Sequence, residues 1–279
     1  MKLTSIFGAA AFALGAAAAA QSALAADLGG SIKDDPMPAP AAREFKLSAN
    51  VGIASQYVFR GVSQTSEDPA IQGGFDATYG IIYAGVWASN LNWGVTDTHI
   101  EMDWYAGIKP VTGKVTWDLG VIYYTYPGSN DVALGGEPNY VELKLGASGE
   151  VWKGGTLGGT VYYSPDYTLE TGNVWTFEGT FAQELPKFGM FTPTISGTLG
   201  YQVGHDASYI SLIGNGDDNY LYWNAGLTLG FLEKWSLDLR YWDSNLGSNA
   251  GGKSFCDGST NGGHLQCDSR FVASLKFTY

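Results

Sequence analysis

Glu101 and Asp103, Glu142 and Lys144, and Asp238 and Arg240 each stand two residues apart. On an extended chain that spacing turns both members of a pair to the same face. The same polar register takes in Lys46, Arg60, Asp76, Asp118, Glu178 and Lys276, which makes seven acids and five bases. Enclosed in a narrow barrel, such charges should pair across strands, because an isolated ion there carries a large desolvation cost. If the enclosed space is open, the acidic excess favours passage of cations over anions. Arg60 and Arg240 have a second possible use as a constriction that holds a small anionic solute, since guanidinium groups suit carboxylates. A fully paired set would instead be a salt-bridged plug that only holds the barrel's shape.

Groups suited to other chemistry are few. His99, His205 and His264 are the only histidines, and none lies in a G-x-S-x-G elbow or an H-E-x-x-H motif. A serine beside His99 on the polar face would be needed for a lipase-like barrel, and no serine is singled out. The expectation is therefore no enzymatic activity and no cofactor. Cys256 and Cys267 are the only cysteines, and in an exported chain they should form a disulfide. Closing a loop of order ten residues contributes about 2 to 3 kcal/mol in the chain-entropy model. A metal site with His264 as third ligand is the alternative, and thiolate ligands fit poorly where disulfides form. Gly214-Asn-Gly-Asp-Asp-Asn219 has neither the spacing nor the closing Glu of a calcium loop, so it reads as a polar turn.

The elements that position these residues begin after an export signal. Lys2, an apolar Ala-rich run from Leu3 to Ala20, and Ala23-Leu24-Ala25 form a secretory signal over residues 1–25. Residues 26–44, with prolines at 36, 38 and 40, read as a flexible periplasmic lead-in. The formal charge of −12 argues against nucleic acid as a partner. Beyond the signal no run of 18 apolar residues could span a bilayer as a helix, which leaves a closed barrel as the spanning solution.

From Phe45 onward the polarity alternates with period two. Phe45, Leu47, Ala49, Val51 and Ile53 alternate with Lys46, Ser48, Asn50 and Gly52, and the pattern recurs in segments starting near residues 69, 81, 99, 115, 141, 151, 175, 195, 221, 235 and 269. That predicts an all-β transmembrane antiparallel up-and-down barrel of about twelve strands over residues 45–279. Alternation alone does not say whether the apolar face points in or out, so a soluble sandwich or lipocalin-like barrel shares it.

Loop lengths discriminate. Tyr79-Gly80, 110–114, 149–155, 185–189 and 232–234 are short, whereas 127–139, 165–173, 205–219 and 245–268 are long, as in bacterial barrels with short periplasmic turns. Two modest loops, 65–68 and 92–97, fall in the outer register. The outer loops hold thirteen acids opposed by Lys253, and the inner turns hold Lys109, Lys114, Lys153, Lys187 and Lys234 against three acids. Trp93, Tyr126, Trp235 and Tyr241 fall near strand ends, where interfacial aromatic belts sit. The last strand, Phe271 to Tyr279, ends on an aromatic residue and resembles the C-terminal strand that the barrel-assembly machinery recognises.

Tyr57-Val-Phe-Arg-Gly-Val-Ser-Gln64, Pro69-Ala-Ile-Gln-Gly-Gly74, Tyr83-Ala-Gly-Val-Trp-Ala-Ser89 and Tyr163-Ser-Pro-Asp166 resemble stretches of the TorF family of proteobacterial outer-membrane proteins, classed as porins. The resemblance runs from about residue 45 to the terminus. It implies an outer-membrane barrel among lipid and lipopolysaccharide, and adds little about the solute. Taken together, the residues predict a narrow, cation-preferring channel for small ions or solutes. The alternatives are a plugged structural or adhesin-like barrel without conductance and, more distantly, a lipase-like enzyme.

Overall fold

The computed structural model describes residues 44–93, 98–130, 135–214, 216–246, 256 and 266–279. The expected signal peptide, the lead-in apart from Glu44, and His264 and Lys253 lie outside the described residues.

Twelve long strands follow one another: β1 (Phe45–Ala54), β2 (Ala70–Tyr79), β3 (Ile82–Asn90), β4 (Ile100–Ile108), β5 (Val115–Thr125), β6 (Tyr140–Trp152), β7 (Gly155–Ser164), β8 (Val174–Glu184), β9 (Thr192–Gly204), β10 (Asn219–Phe231), β11 (Trp235–Ser244) and β12 (Arg270–Thr278). Each pairs antiparallel with its neighbours, and β1 pairs with both β2 and β12, which closes the sheet into a barrel. Closure leaves no free edge, the condition for a sheet to sit in lipid. The expected all-β barrel is thus observed. The turn at 149–155 is shorter than the sequence reading has it, as is that at 110–114, where Val111 and Thr112 pair with Thr116 and Val115. At the former, β6 runs on to Trp152 and the turn needs only Lys153 and Gly154. Gly154 supplies a positive φ of 72° and donates its N–H to Glu150 Oε1, so two residues suffice.

The faces of the strands settle what alternation left open. Val51 is 53% exposed and Leu199 59%, whereas Asp103 and Arg240 are 0% exposed. A soluble barrel would bury the first pair and expose the second. Here the apolar side chains point out and the charges point in, the arrangement that a lipid surround stabilises.

Inside, tyrosine rings lie over glycines on the adjoining strand. Tyr105 is the register partner of Gly85, Tyr83 of Gly107 and Tyr222 of Gly200. A Cβ added at any of these glycines would overlap the ring, so the glycines are what let large phenols fold flat against the wall.

The outer ends are filled by loops that turn inward. The first, between β1 and β2, carries a hairpin in which Val58 pairs with Ser63 and Phe59 with Val62. Its two turn residues, Arg60 and Gly61, have φ of 47° and 83°, the paired positive values of a type I′ turn. The loop between β9 and β10 folds as helix α1 (Ala207–Ile213), whose Tyr209 and Ile213 are buried.

Two of the four residues expected in interfacial belts do not sit there. Tyr126 is buried, and Trp93 packs against it at 4.9 Å while donating its Nε1–H to Gln64 Oε1. Both close the outer mouth instead, because the first loop turns inward beside them. Trp235 and Tyr241 keep outward ring contacts, with Phe277 and Phe271 respectively, each at 5.1 Å.

Candidate functional site

The barrel's interior is the candidate site, and its charges fall into three groups. Loop lengths mark the end from which the first loop enters as the outer one.

In the outer group, Arg60 reaches from the hairpin to β6 and donates two parallel hydrogen bonds to Glu142, at 2.6 and 2.8 Å. The Tyr124 hydroxyl donates a third to Glu142 Oε2 at 3.0 Å. Phe59 and Tyr162 lie under the guanidinium at 4.7 and 4.9 Å from its central carbon. Arg60 and Glu142 are 2% and 1% exposed, so the pair is desolvated. The hairpin tip abuts the far wall, since a Cβ on Gly61 would come within 2.9 Å of the Cβ atoms of Tyr222 and Ser244. Its flanks are tied down as well. Ser63 N–H donates to the Gln266 carbonyl, Ser66 Oγ to the Asn92 carbonyl, and Arg270 Nη1 to Gln56 Oε1. Glu101 and Asp103 share this level and are treated below.

At mid-depth, Arg240 bonds Asp238 through Nε and Nη2, Asn224 Oδ1 through Nη1 and Ser196 Oγ through Nη2. Thr228 also donates to Asp238. Glu178 accepts a short hydrogen bond from Tyr222. Lys276 is half-buried on the same side of the barrel.

Toward the inner end, Asp118 collects Lys144 at 2.9 Å, Lys109 at 3.8 Å and the Tyr83 hydroxyl at 2.6 Å. Asp76 accepts from the Tyr105 hydroxyl at 2.6 Å. Lys46 departs from the expectation of an enclosed charge. It is 68% exposed and pairs with Glu44 at 3.5 Å, because β1 begins only one residue earlier and the position lies at the inner mouth.

Three of the residues that shape this site carry no signal in the charge pattern. Tyr57, Tyr222 and Arg270 are buried, and each hydrogen-bonds a lumen or loop group. The pairing of a large phenol with a glycine on the adjoining strand is the one sequence trace that could have found Tyr222. Arg240 and Arg60 both lie in ion pairs, as the desolvation argument requires.

At the outer mouth Cys256 and Cys267 are joined in a disulfide and both are buried. The neighbouring Gln266 holds the first-loop hairpin through its carbonyl and donates Nε2–H to Ser66 Oγ. Asp218 accepts from Asn219 and lies 2.7 Å from His205 Nδ1, and these bonds hold its carboxyl below the ordinary range. His205 thus serves this surface pair, and His99 is exposed at the end of β4 rather than enclosed. Asn215 lies outside the described residues, so only part of the 214–219 turn is seen.

Outward apolar strands around a charged, aromatic-lined interior define a transmembrane β-barrel. The chain belongs to the family Gcw_chp, described as "bacterial protein of unknown function", whose model matches residues 38–279. No curated protein is similar to it in sequence. Among solved structures, the KdgM porin is similar with a TM-score of 0.51 at 9% identity, covering 83% of this chain and 99% of that one. KdgM in complex with disordered oligogalacturonate gives the same values. The NanC porin matches with a TM-score of 0.49 at 11% identity, over 83% of this chain and 99% of that one. The likeness to KdgM is one of fold.

Proposed function

We propose that this protein is an outer-membrane channel for small solutes, narrowed by its first-loop hairpin and preferring cations. The observation that carries the reading is the inverted barrel: a charged interior enclosed by an apolar wall has no use in a soluble protein, but forms a polar path across lipid. The resemblance of Tyr57–Gln64 and Pro69–Gly74 to the TorF porins supports the same reading. The cation preference rests on the lumen acids, Asp76, Glu101, Asp103, Asp118, Glu142, Glu178 and Asp238, which outnumber the lumen bases, and on the acidic outer loops. In this reading Tyr279, whose N–H and C=O both bond Ala49, ends the strand that the assembly machinery would grip. Reversal potentials of the refolded protein in a planar bilayer under a KCl gradient test it. Potassium should carry most of the current, and chloride as the main carrier would remove the cation preference.

One observation favours a second reading. Tyr57, Val58 and Arg60 are buried to 1%, 0% and 2% exposure, and the outer half of the interior is packed with Tyr124, Tyr140 and Tyr167. A barrel plugged in this way would be structural or adhesin-like, and it would pass no current in the same bilayer.

A further inference from the structure

Glu101 and Asp103 lie one above the other on the inward face of β4, with Cα atoms about 7 Å apart by strand geometry. Glu101 is 2% exposed and Asp103 0%. Both carboxylate oxygens of Asp103 are buried and accept from no N–H or O–H donor among the described residues; the group within their hydrogen-bonding reach is the Glu101 carboxyl. Its cross-strand neighbours are aromatic, Trp87 on β3 and Tyr124 on β5. From above, Tyr57 closes the space. Its hydroxyl is 3.5 Å from Glu101 Oε1, and its ring meets Trp87 edge-on at 5.4 Å.

The bases of the interior are committed elsewhere. Arg60 directs both terminal nitrogens to Glu142, Lys144 bonds Asp118, Arg240 bonds Asp238, and Arg270 bonds Gln56. Two adjacent carboxyl groups are thus left out of water with no cation facing them among the described residues. Every other lumen acid accepts a hydrogen bond from a phenol, a base or a hydroxyl at 3.0 Å or less. Such a site needs a positive charge beyond those the described residues supply, or a proton held between the two carboxyls.

We propose that Glu101 and Asp103 bind one monovalent cation, either a metal ion of the potassium type or a protonated amine, beneath the first-loop hairpin. A divalent ion is disfavoured because it dehydrates reluctantly and is held through several charged ligands, and among the described residues no group of three acids, histidines or cysteines converges. The aromatic neighbours suit a weakly hydrated monovalent cation, which rings attract through their π faces. That the bound cation lies on a solute path rests on the channel reading; the binding itself does not.

Titration of the folded full-length barrel in detergent tests the proposal. The probes are the thallous ion, as a potassium surrogate followed by its own NMR signal, and methylammonium, followed by calorimetry. Wild type should bind at least one of them at a single saturable site, and which one binds assigns the source of the cation. Asp103→Asn and Glu101→Gln keep side-chain shape, and each should weaken binding at least tenfold while the β-sheet circular dichroism is unchanged. If one variant fails to fold, the other carries the comparison. No saturable binding of either probe to wild type, or equal binding by a folded variant, overturns the proposal and leaves the two carboxyls sharing a proton. Binding to a barrel that is silent in the bilayer would keep the site and remove the channel, and a conducting barrel without binding would do the reverse.

Discussion

Arg60 and Glu142, 82 residues apart in the chain, meet across the barrel through two parallel hydrogen bonds of 2.6 and 2.8 Å. One comes from a loop and the other from a strand wall. Their bond holds the hairpin across the interior, and so narrows the space left there.

Removing one partner would strand the other charge in a desolvated place. Arg60→Ala should destabilise the barrel by about 3 to 5 kcal/mol, and replacing both residues by Met should cost far less. Chemical denaturation of the refolded proteins measures both. Equal stability of wild type and Arg60→Ala would show that the pair does not anchor the loop.

The seating of tyrosine on glycine makes a second expectation. Gly85→Ala would push against the Tyr105 ring and disturb its 2.6 Å bond to Asp76, at about 1 to 3 kcal/mol for an overpacked site. Gly159→Ala meets only a carbonyl oxygen 3.8 Å away and should change stability by less than about 0.5 kcal/mol. The two melting curves side by side check the contrast.

A charge on the outer wall separates a membrane barrel from a soluble one. Leu199→Arg should cost about 2 to 4 kcal/mol if the position faces the bilayer core. In water an arginine at a site that is 59% exposed would be harmless. Unfolding from lipid vesicles gives the answer, and an unchanged midpoint would contradict the lipid-facing assignment.

The Cys256–Cys267 bridge closes a loop worth about 3 kcal/mol in the chain-entropy model. Thiol titration of the unreduced protein should find no free cysteine. Reduction should loosen Gln266, and with it the hairpin that its carbonyl holds, so that protease sensitivity rises in the outer loops before the barrel unfolds.

The strand faces were legible because period two is strong wherever a wall has lipid on one side and charge on the other. Phe45 to Ile53 shows it plainly, and the register of β1 follows it. The first loop was not legible as an inward element. Its Arg60-Gly61 turn uses positive φ values without the usual Asn-Gly or Asp-Gly signal, and Arg60 read as a wall charge when it belongs to a hairpin inside the wall. Trp93 and Tyr126 were misplaced for the same reason, since belt and plug draw on the same aromatic residues. The Glu101–Asp103 pair was visible as two carboxylates on one face, but only packing shows that no base among the described residues faces them.

Single-channel recording of the wild-type barrel beside a variant in which residues 58–63 are replaced by a short Gly-Ser link tests the central claim most directly. The account predicts small discrete steps for wild type and severalfold larger steps for the variant, both carried mainly by potassium. Equal conductance in the two, or no current from either folded barrel, would contradict it.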